Sequence, residues 1–166
     1  MKNYKKRVYN LDHIAKLSAG GDRPKVFSKN KTKDLQVPVY SNGIVDKGLY
    51  GYTNIPKING NSITISSRGT IGAVYFRKDD YVPIVRLISV EPNNKIVDEK
   101  YLYYYLLNSK IEGYGTTQQQ LTLPYMSKFQ VEIFDSILIQ KKVAHILNSI
   151  DDKIELNNKI NKNLAA

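Results

Sequence analysis

Residues 139–164 read IQKKVAHILNSIDDKIELNNKINKNL, in which apolar side chains recur at Ile139, Val143, Ile146, Leu147, Ile150, Ile154, Ile160 and Leu164. Three-and-four spacing of this kind is the period of an α-helix with one apolar stripe. No Gly or Pro interrupts the run. At 1.5 Å per residue it predicts a helix roughly 40 Å long, more than the flank of a small domain needs. Within it, Val143, Leu147, Ile150, Ile154, Asn157, Asn161 and Leu164 keep heptad spacing and put two asparagines in the seam. Polar seam residues lower stability but fix register and partner number, which points to pairing with another helix. Packing of the stripe on the chain's own domain is the other reading of the same pattern. The distal end, with Asn157, Asn158, Asn161 and Asn163, has poor helix propensity and needs support from outside the helix.

Upstream of this helix there is room for one cored domain. The 166 residues are 42% hydrophobic, a globular composition, with no internal repeat. The expected fold class is therefore α+β: a mixed domain of short strands over residues 1–136, followed by the long helix over residues 137–166. Cys is absent, so disulfides and Cys-zinc sites are excluded. No apolar run approaches a membrane span, and the charged start at residues 1–7 is not followed by a signal-peptide core. A cytoplasmic location is expected. The formal net charge is +10, from 25 Lys and Arg against 15 Asp and Glu. The first 33 residues hold ten of those cations against only Asp12 and Asp22, with Tyr4 and Tyr9 among them. Such a block favours a polyanion, most simply nucleic acid; a solvated basic surface accounts for it as well.

Along the chain, residues 10–15 suit a short helical turn with Asn10 or Asp12 as N-cap, and residues 18–24 a loop. Residues 25–33 read as an exposed basic arm. Residues 37–40 read as a short strand that Pro38 assigns to an edge or a strand start. A turn at Asn59-Gly60-Asn61 leads into a half-buried strand over residues 62–66. Further strands are expected over residues 71–76, 81–90 and 128–133, and a helix capped by Asp98 is expected to run to Lys110.

Two polar constellations stand out. In Ser66-Ser67-Arg68-Gly69-Thr70-Ile71-Gly72 an arginine is lifted from a strand end between small residues. It can fork onto guanine or clamp a phosphate, or pair with a carboxylate that props the turn. In residues 113–121, GYGTTQQQL, amides and hydroxyls between glycines suit adenine edges and phosphates, or satisfy the loop's own backbone. Catalytic constellations are missing: there is no phosphate-cradling Gly loop and no Cys nucleophile, and His13 and His145 are the only histidines. Asp98-Glu99 at a helix start and Asp151-Asp152 on the long helix read as dipole and solvent features, so neither an enzyme nor a metal site is expected.

The ordered series of Ser66 to Gly72, then Tyr101-Leu102-Tyr103-Tyr104-Tyr105-Leu106, then Gly115 to Leu121, then Gln140-Lys141-Lys142-Val143-Ala144-His145-Ile146-Leu147 with Asp151, Ile154, Asn157 and Asn161, resembles the specificity subunits of Type I restriction-modification enzymes. The resemblance covers nearly the whole chain. Such subunits carry two target-recognition domains, each followed by a long helix, so this chain resembles a half-subunit with one of each. It departs from the family at Gln119, where Pro is frequent, and at residues 134–137, FDSI, where a Pro-Pro-Leu-type turn is common.

The resemblance implies a protein that does no chemistry itself. It would hold double-stranded DNA, while modification subunits supply S-adenosylmethionine-dependent methylation of adenine and a restriction subunit supplies the ATP-driven translocase and nuclease. No cofactor is expected on this chain. Arg68, Thr117, Gln118 and Gln119 are the candidates near bases or their flanking phosphates. Lys25, Lys29, Lys31 and Asn42 are candidate backbone or groove contacts, and Tyr40 is a stacking or phosphate partner. Val143, Leu147, Ile150, Ile154 and Asn157 would pair two copies as an antiparallel coiled coil that reads a split, symmetric site. A stand-alone DNA-binding regulator or decoy, and an interaction module built on the helix, are the alternatives.

Overall fold

The computed structural model of the protein describes residues 4–113 and 120–164. The chain opens with β1 (Lys6–Asn10), a one-turn helix α1 (Leu11–Ile14) and β2 (Ala15–Ala19). After a long basic loop come β3 (Val37–Tyr40), a 3-10 turn at Val45–Gly48, and β4 (Leu49–Thr53). The hairpin β5 (Ser62–Ile65) and β6 (Val74–Arg77) follows, then β7 (Val82–Pro83) and β8 (Ile88–Pro92). Helix α2 (Glu99–Leu107), the short α3 (Leu123–Ser127), β9 (Gln130–Phe134) and helix α4 (Ile137–Leu164) complete the chain.

Among the described residues the strands form three small sheets. β2, β8, β5 and β6 lie in that order, all antiparallel; β3 sits between antiparallel β4 and parallel β7; β1 pairs with β9. The alternation at residues 62–66 does produce β5, but this strand is buried along its whole length, because it is central in its sheet and covered by α2. The main core gathers Ile63, Ile65, Ile88 and Val90 from the sheet against Leu102 and Leu106 of α2, with Leu11, Met126 and Ile133 closing its end. A second, smaller core of Val39, Val82 and Ile84 holds the three-stranded sheet together.

Several expectations change on contact with the structure. The strand expected over residues 81–90 is two strands in different sheets, β7 and β8, separated by a turn at Ile84–Leu87. β6 begins at Val74 rather than Ile71, because Gly72 and Ala73 are used in closing the preceding loop. β3 is the middle strand of its sheet, so of the two expectations for Pro38 the edge fails and the strand start holds: Pro38 is the second residue of β3, and β7 reaches only Val39 and Tyr40. α1 forms where expected, but neither proposed cap bonds it through its side chain. α2 is capped as expected, the Asp98 carboxylate accepting from the Tyr101 N–H at 2.9 Å, and it ends at Leu107. β1, β2, β4 and α3 have no counterpart in the sequence reading; β4 falls on residues 48–52, which read as a turn carrying tyrosines, because pairing with β3 extends them.

Helix α4 starts at Ile137, where the helix is expected, and its described residues run to Leu164. Its first turns pack on the domain through Gln140 and Ala144, both buried, and through Val143 against the main core. The Gln140 amide is fully enclosed. Its Oε1 accepts from the Asp98 N–H at 2.8 Å, and its Nε2 donates to Phe134 O at 2.7 Å and Ile96 O at 3.2 Å. One side chain thus ties the foot of α4 to the start of α2 and the end of β9. Three turns on, the Tyr104 hydroxyl donates to Asp151 at 2.9 Å. From Ile150 to Leu164 every residue is exposed, and as far as Asn158 the helix borders the domain only across an open groove lined by Lys47, Phe76, Lys100 and Tyr103.

Candidate nucleic-acid interface

The loop between β5 and β6 is a closed structure. Ser66 N–H donates to Ala73 O and Gly72 N–H to Ser66 O, both at 2.9 Å. Gly72 has φ +79°, and a side chain there would collide with the Ile111 carbonyl, so glycine is required. Ser66 and Ser67 are buried, while Arg68 is half-buried at the rim. The Leu121 N–H donates to Ser67 O at 3.0 Å, and Arg68 Nη2 donates to Gln120 Oε1 at 3.3 Å. The fold therefore brings the arginine loop and the end of the Thr-Gln segment together, although 52 residues separate them. Thr117, Gln118 and Gln119 lie outside the described residues. Among the described residues no carboxylate pairs with Arg68, and its Nε is buried without a partner. Gly20, Ser67, Arg68, Arg86, Gln120 and Thr122 line a cleft of about 390 Å³ at this point.

Asn42 stands behind the cleft with its amide committed on both sides. Its Oδ1 accepts from Ser67 N–H at 2.7 Å, and its Nδ2 donates to Val85 O at 2.6 Å. The side chain fixes the arginine loop against the turn between β7 and β8. Tyr40 is half-buried, edge-on to Tyr81, with the Arg77 guanidinium 3.6 Å from its ring centre. Arg77 is itself buried, donating to Thr64 Oγ1 at 2.8 Å and Lys47 O at 2.7 Å. Burial pulls its pKa below the usual value, and the Tyr40 and Tyr81 hydroxyls oppose that shift. Burial also pushes the Tyr81 hydroxyl pKa up.

Lys25, Lys29 and Lys31 are exposed and none of them lines the Arg68 cleft; Lys31 lies on a separate ledge. Lys29 Nζ sits 3.7 Å from the Tyr50 ring centre and donates to Tyr50 O, while Arg23 lies over Phe27 at 5.0 Å. Lys31 shares a shallow cleft with Tyr40, Tyr52 and Lys78, and also with Asp79 and Asp80. The N-terminal cations do not join this ledge as one basic block. Lys6 pairs with Glu132 at 3.2 Å and Arg7 with Asp135 at 3.0 Å across β1 and β9. Lys16 lies 3.0 Å from Glu91. Counting charges along the chain missed these partners because they sit about 75 to 130 residues downstream. Arg86, which faces the Arg68 cleft, was missed too, since it was read as the interior of a strand.

On α4, Val143 and Leu147 are half-buried and line the groove against Tyr101, Tyr104 and Tyr105 of α2. Ile150 and Ile154 are 49% and 52% exposed, and Asn157 is exposed with them. Ile160 and Leu164 extend the same open stripe. Among the described residues no three His, Asp or Glu side chains gather as a metal site, and no helix is long and apolar enough to cross a membrane.

A family model described as the Type I restriction modification DNA specificity domain matches residues 2–166. Two Mycoplasma pneumoniae (strain ATCC 29342 / M129 / Subtype 1) proteins named as type I specificity subunits are similar to the chain. One is 33% identical over 153 residues, covering 90% of this chain and 45% of the relative. The other is 33% identical over 145 residues, covering 87% of this chain and 39% of the relative. The crystal structure of a Type-I restriction-modification S subunit from M. genitalium superposes with a TM-score of 0.77 at 18% identity, over 93% of this chain and 41% of that one, a likeness of fold. The chain spans less than half the length of these relatives.

Proposed function

This chain belongs to the type I restriction-modification DNA specificity domain family, and from that premise we propose that it is a non-catalytic subunit that reads one half of a split DNA site and pairs with a second copy to read the other half. The observation that carries the reading is the family match over residues 2–166. The geometry suits it: a half-buried arginine oriented by Gln120 beside a cleft is pre-organised to fork onto a base edge or phosphate. Residues 1–136 act as the target-recognition domain, with Arg68, Thr117, Gln118 and Gln119 at bases or their flanking phosphates. Lys25, Lys29 and Lys31 meet the sugar-phosphate backbone from outside the Arg68 cleft. Tyr40 and Asn42 act from behind, holding Arg77 and the arginine loop in place.

Residues 137–166 act as spacer and dimerisation helix. Its 28-residue α4 is about 42 Å long, close to one duplex turn, which is the separation that two-fold dimers use for half-sites. The pairing is antiparallel and runs through Ile150, Ile154 and Asn157, with Val143 and Leu147 at the joint with the domain. A methyltransferase subunit and, through it, a restriction subunit join the dimer; S-adenosylmethionine and ATP belong to those partners, and the assembly works in the cytoplasm, where the DNA is. The test is selection of bound duplexes from a random pool at physiological salt, with and without a cognate modification subunit. An interrupted inverted repeat is the expected result, and its gap measures the helix spacer. Absence of any enriched motif in both arms would overturn the reading.

A further inference from the structure

The turn that carries the chain from β7 to β8 is strained in an informative way. Its two central residues, Val85 and Arg86, both lie in the left-handed region, at φ +53° and +60°, and Leu87 N–H donates to Ile84 O at 3.1 Å. Turns of this shape ordinarily take Asn-Gly, because an L side chain meets the backbone there and a β-branched one most of all. Packing does not explain the choice, since both side chains are exposed.

The strain is held by bonds on every side. Val85 N–H donates to Gly21 O and Arg86 N–H to Gly20 O, both at 2.9 Å. Asn42 Nδ2 donates to Val85 O at 2.6 Å, and Ser67 Oγ donates to Arg86 O at 2.8 Å. Gly20 closes in from behind: a Cβ there would stand 2.7 Å from Ile84 N. The result is a rigid mount that projects one cation. That cation shares its cleft with Arg68, whose Nε is buried and unpartnered, and no acidic side chain among the described residues pairs with either arginine. Two guanidinium groups without a carboxylate partner among the described residues line one cleft, an arrangement that favours an anion there. Over-determined strain of this kind is a mark of a functional position.

We propose that Arg86 anchors a DNA phosphate at the mouth of the Arg68 cleft, and that the strained turn exists to present it. The inference rests on the DNA-binding reading above and adds a residue and a role to it. Arg68, oriented by Gln120, supplies the shape-dependent contact; Arg86, exposed on its rigid turn, supplies a sequence-independent charge contact.

The experiment uses the full chain and the duplex recovered by site selection, with affinity measured against salt for the wild type, Arg86→Ala, Arg86→Lys and Arg68→Ala. Loss of one phosphate contact lowers the slope of log K against log salt by about 0.9, which is about a fivefold loss of affinity at physiological salt. Arg86→Ala should show both changes, equally on the selected duplex and on single-base-pair variants of it, and Arg86→Lys should restore most of the slope. Arg68→Ala should cost more on the selected duplex than on its variants. A wild type that binds the duplex while Arg86→Ala keeps the same slope and affinity overturns the role of Arg86 alone. A wild type that binds no duplex overturns the DNA reading, and this inference with it.

Discussion

Val85 shows how a single residue can act against the stability of its own fold. A valine held at φ +53° is about 1–2 kcal/mol less favourable than the same residue in a right-handed conformation, and here no burial offsets the difference. Val85→Asn keeps the turn, since asparagine tolerates this region and Val85 contributes only its backbone to the surrounding hydrogen bonds. The substitution should raise unfolding stability by about 1 kcal/mol, read as a shift of the denaturant midpoint at constant m-value. An unchanged or lowered midpoint would mean that the turn is not strained. Nothing in the sequence flagged this position. Ile84-Val85-Arg86-Leu87 contains none of Gly, Pro, Asn or Asp, so it reads as the middle of a strand. Arg68 was legible for the opposite reason, standing among Ser and Gly residues at a strand end. Half of the cleft could be read from local chemistry. The half supplied by Arg86 depends on tertiary bonds to Gly20, Gly21, Asn42 and Ser67 that no local pattern carries.

Elements were legible in proportion to how far one period explains them. The three-and-four spacing of α4 and the alternation of β5 are regular patterns, and both elements form where expected, although β5 is buried throughout and α4 buries only its first turns. β1 was hidden because it opens on the charged, exposed Lys6 and Arg7 and its Val8 faces solvent; what makes it a strand is pairing with β9, at the far end of the domain. Gln140 was hidden as well, since a lone glutamine near a helix start looks like a solvent position. Its burial makes the joint between α4 and the domain a polar one, and polar joints tolerate change poorly. Gln140→Leu keeps the volume but strands the Asp98 N–H and the Phe134 and Ile96 carbonyls. Leaving buried groups unpaired costs about 1–3 kcal/mol each, less where water can reach them. We expect a loss of about 2–4 kcal/mol by chemical denaturation, against less than about 1 kcal/mol for Tyr104→Phe, whose bond to Asp151 is exposed. Equal losses for the two variants would mean that Gln140 is not the fastening point.

At the scale of the whole molecule the open question is what covers the distal half of α4. Ile150, Ile154, Ile160 and Leu164 are 49%, 52%, 46% and 81% exposed on the distal part of the helix, which borders its domain only across an open groove. An isolated helical end rich in asparagine is marginal in water, so a second helix is the simplest support. If two copies pair through this stripe, Ile150→Asp with Ile154→Asp places carboxylates in the seam and should turn a dimer into a monomer in sedimentation velocity at micromolar concentration. The domain's own denaturation midpoint should hardly move, because neither side chain belongs to its core. The Asn157→Leu variant separates register from affinity: a polar seam residue lowers stability but selects partner number, so its removal should strengthen association and broaden it to higher oligomers. A wild-type chain that sediments as a monomer both alone and on DNA would refute self-pairing. The stripe would then have to be covered by a different helix, and the two-copy reading of a symmetric site would fall with it.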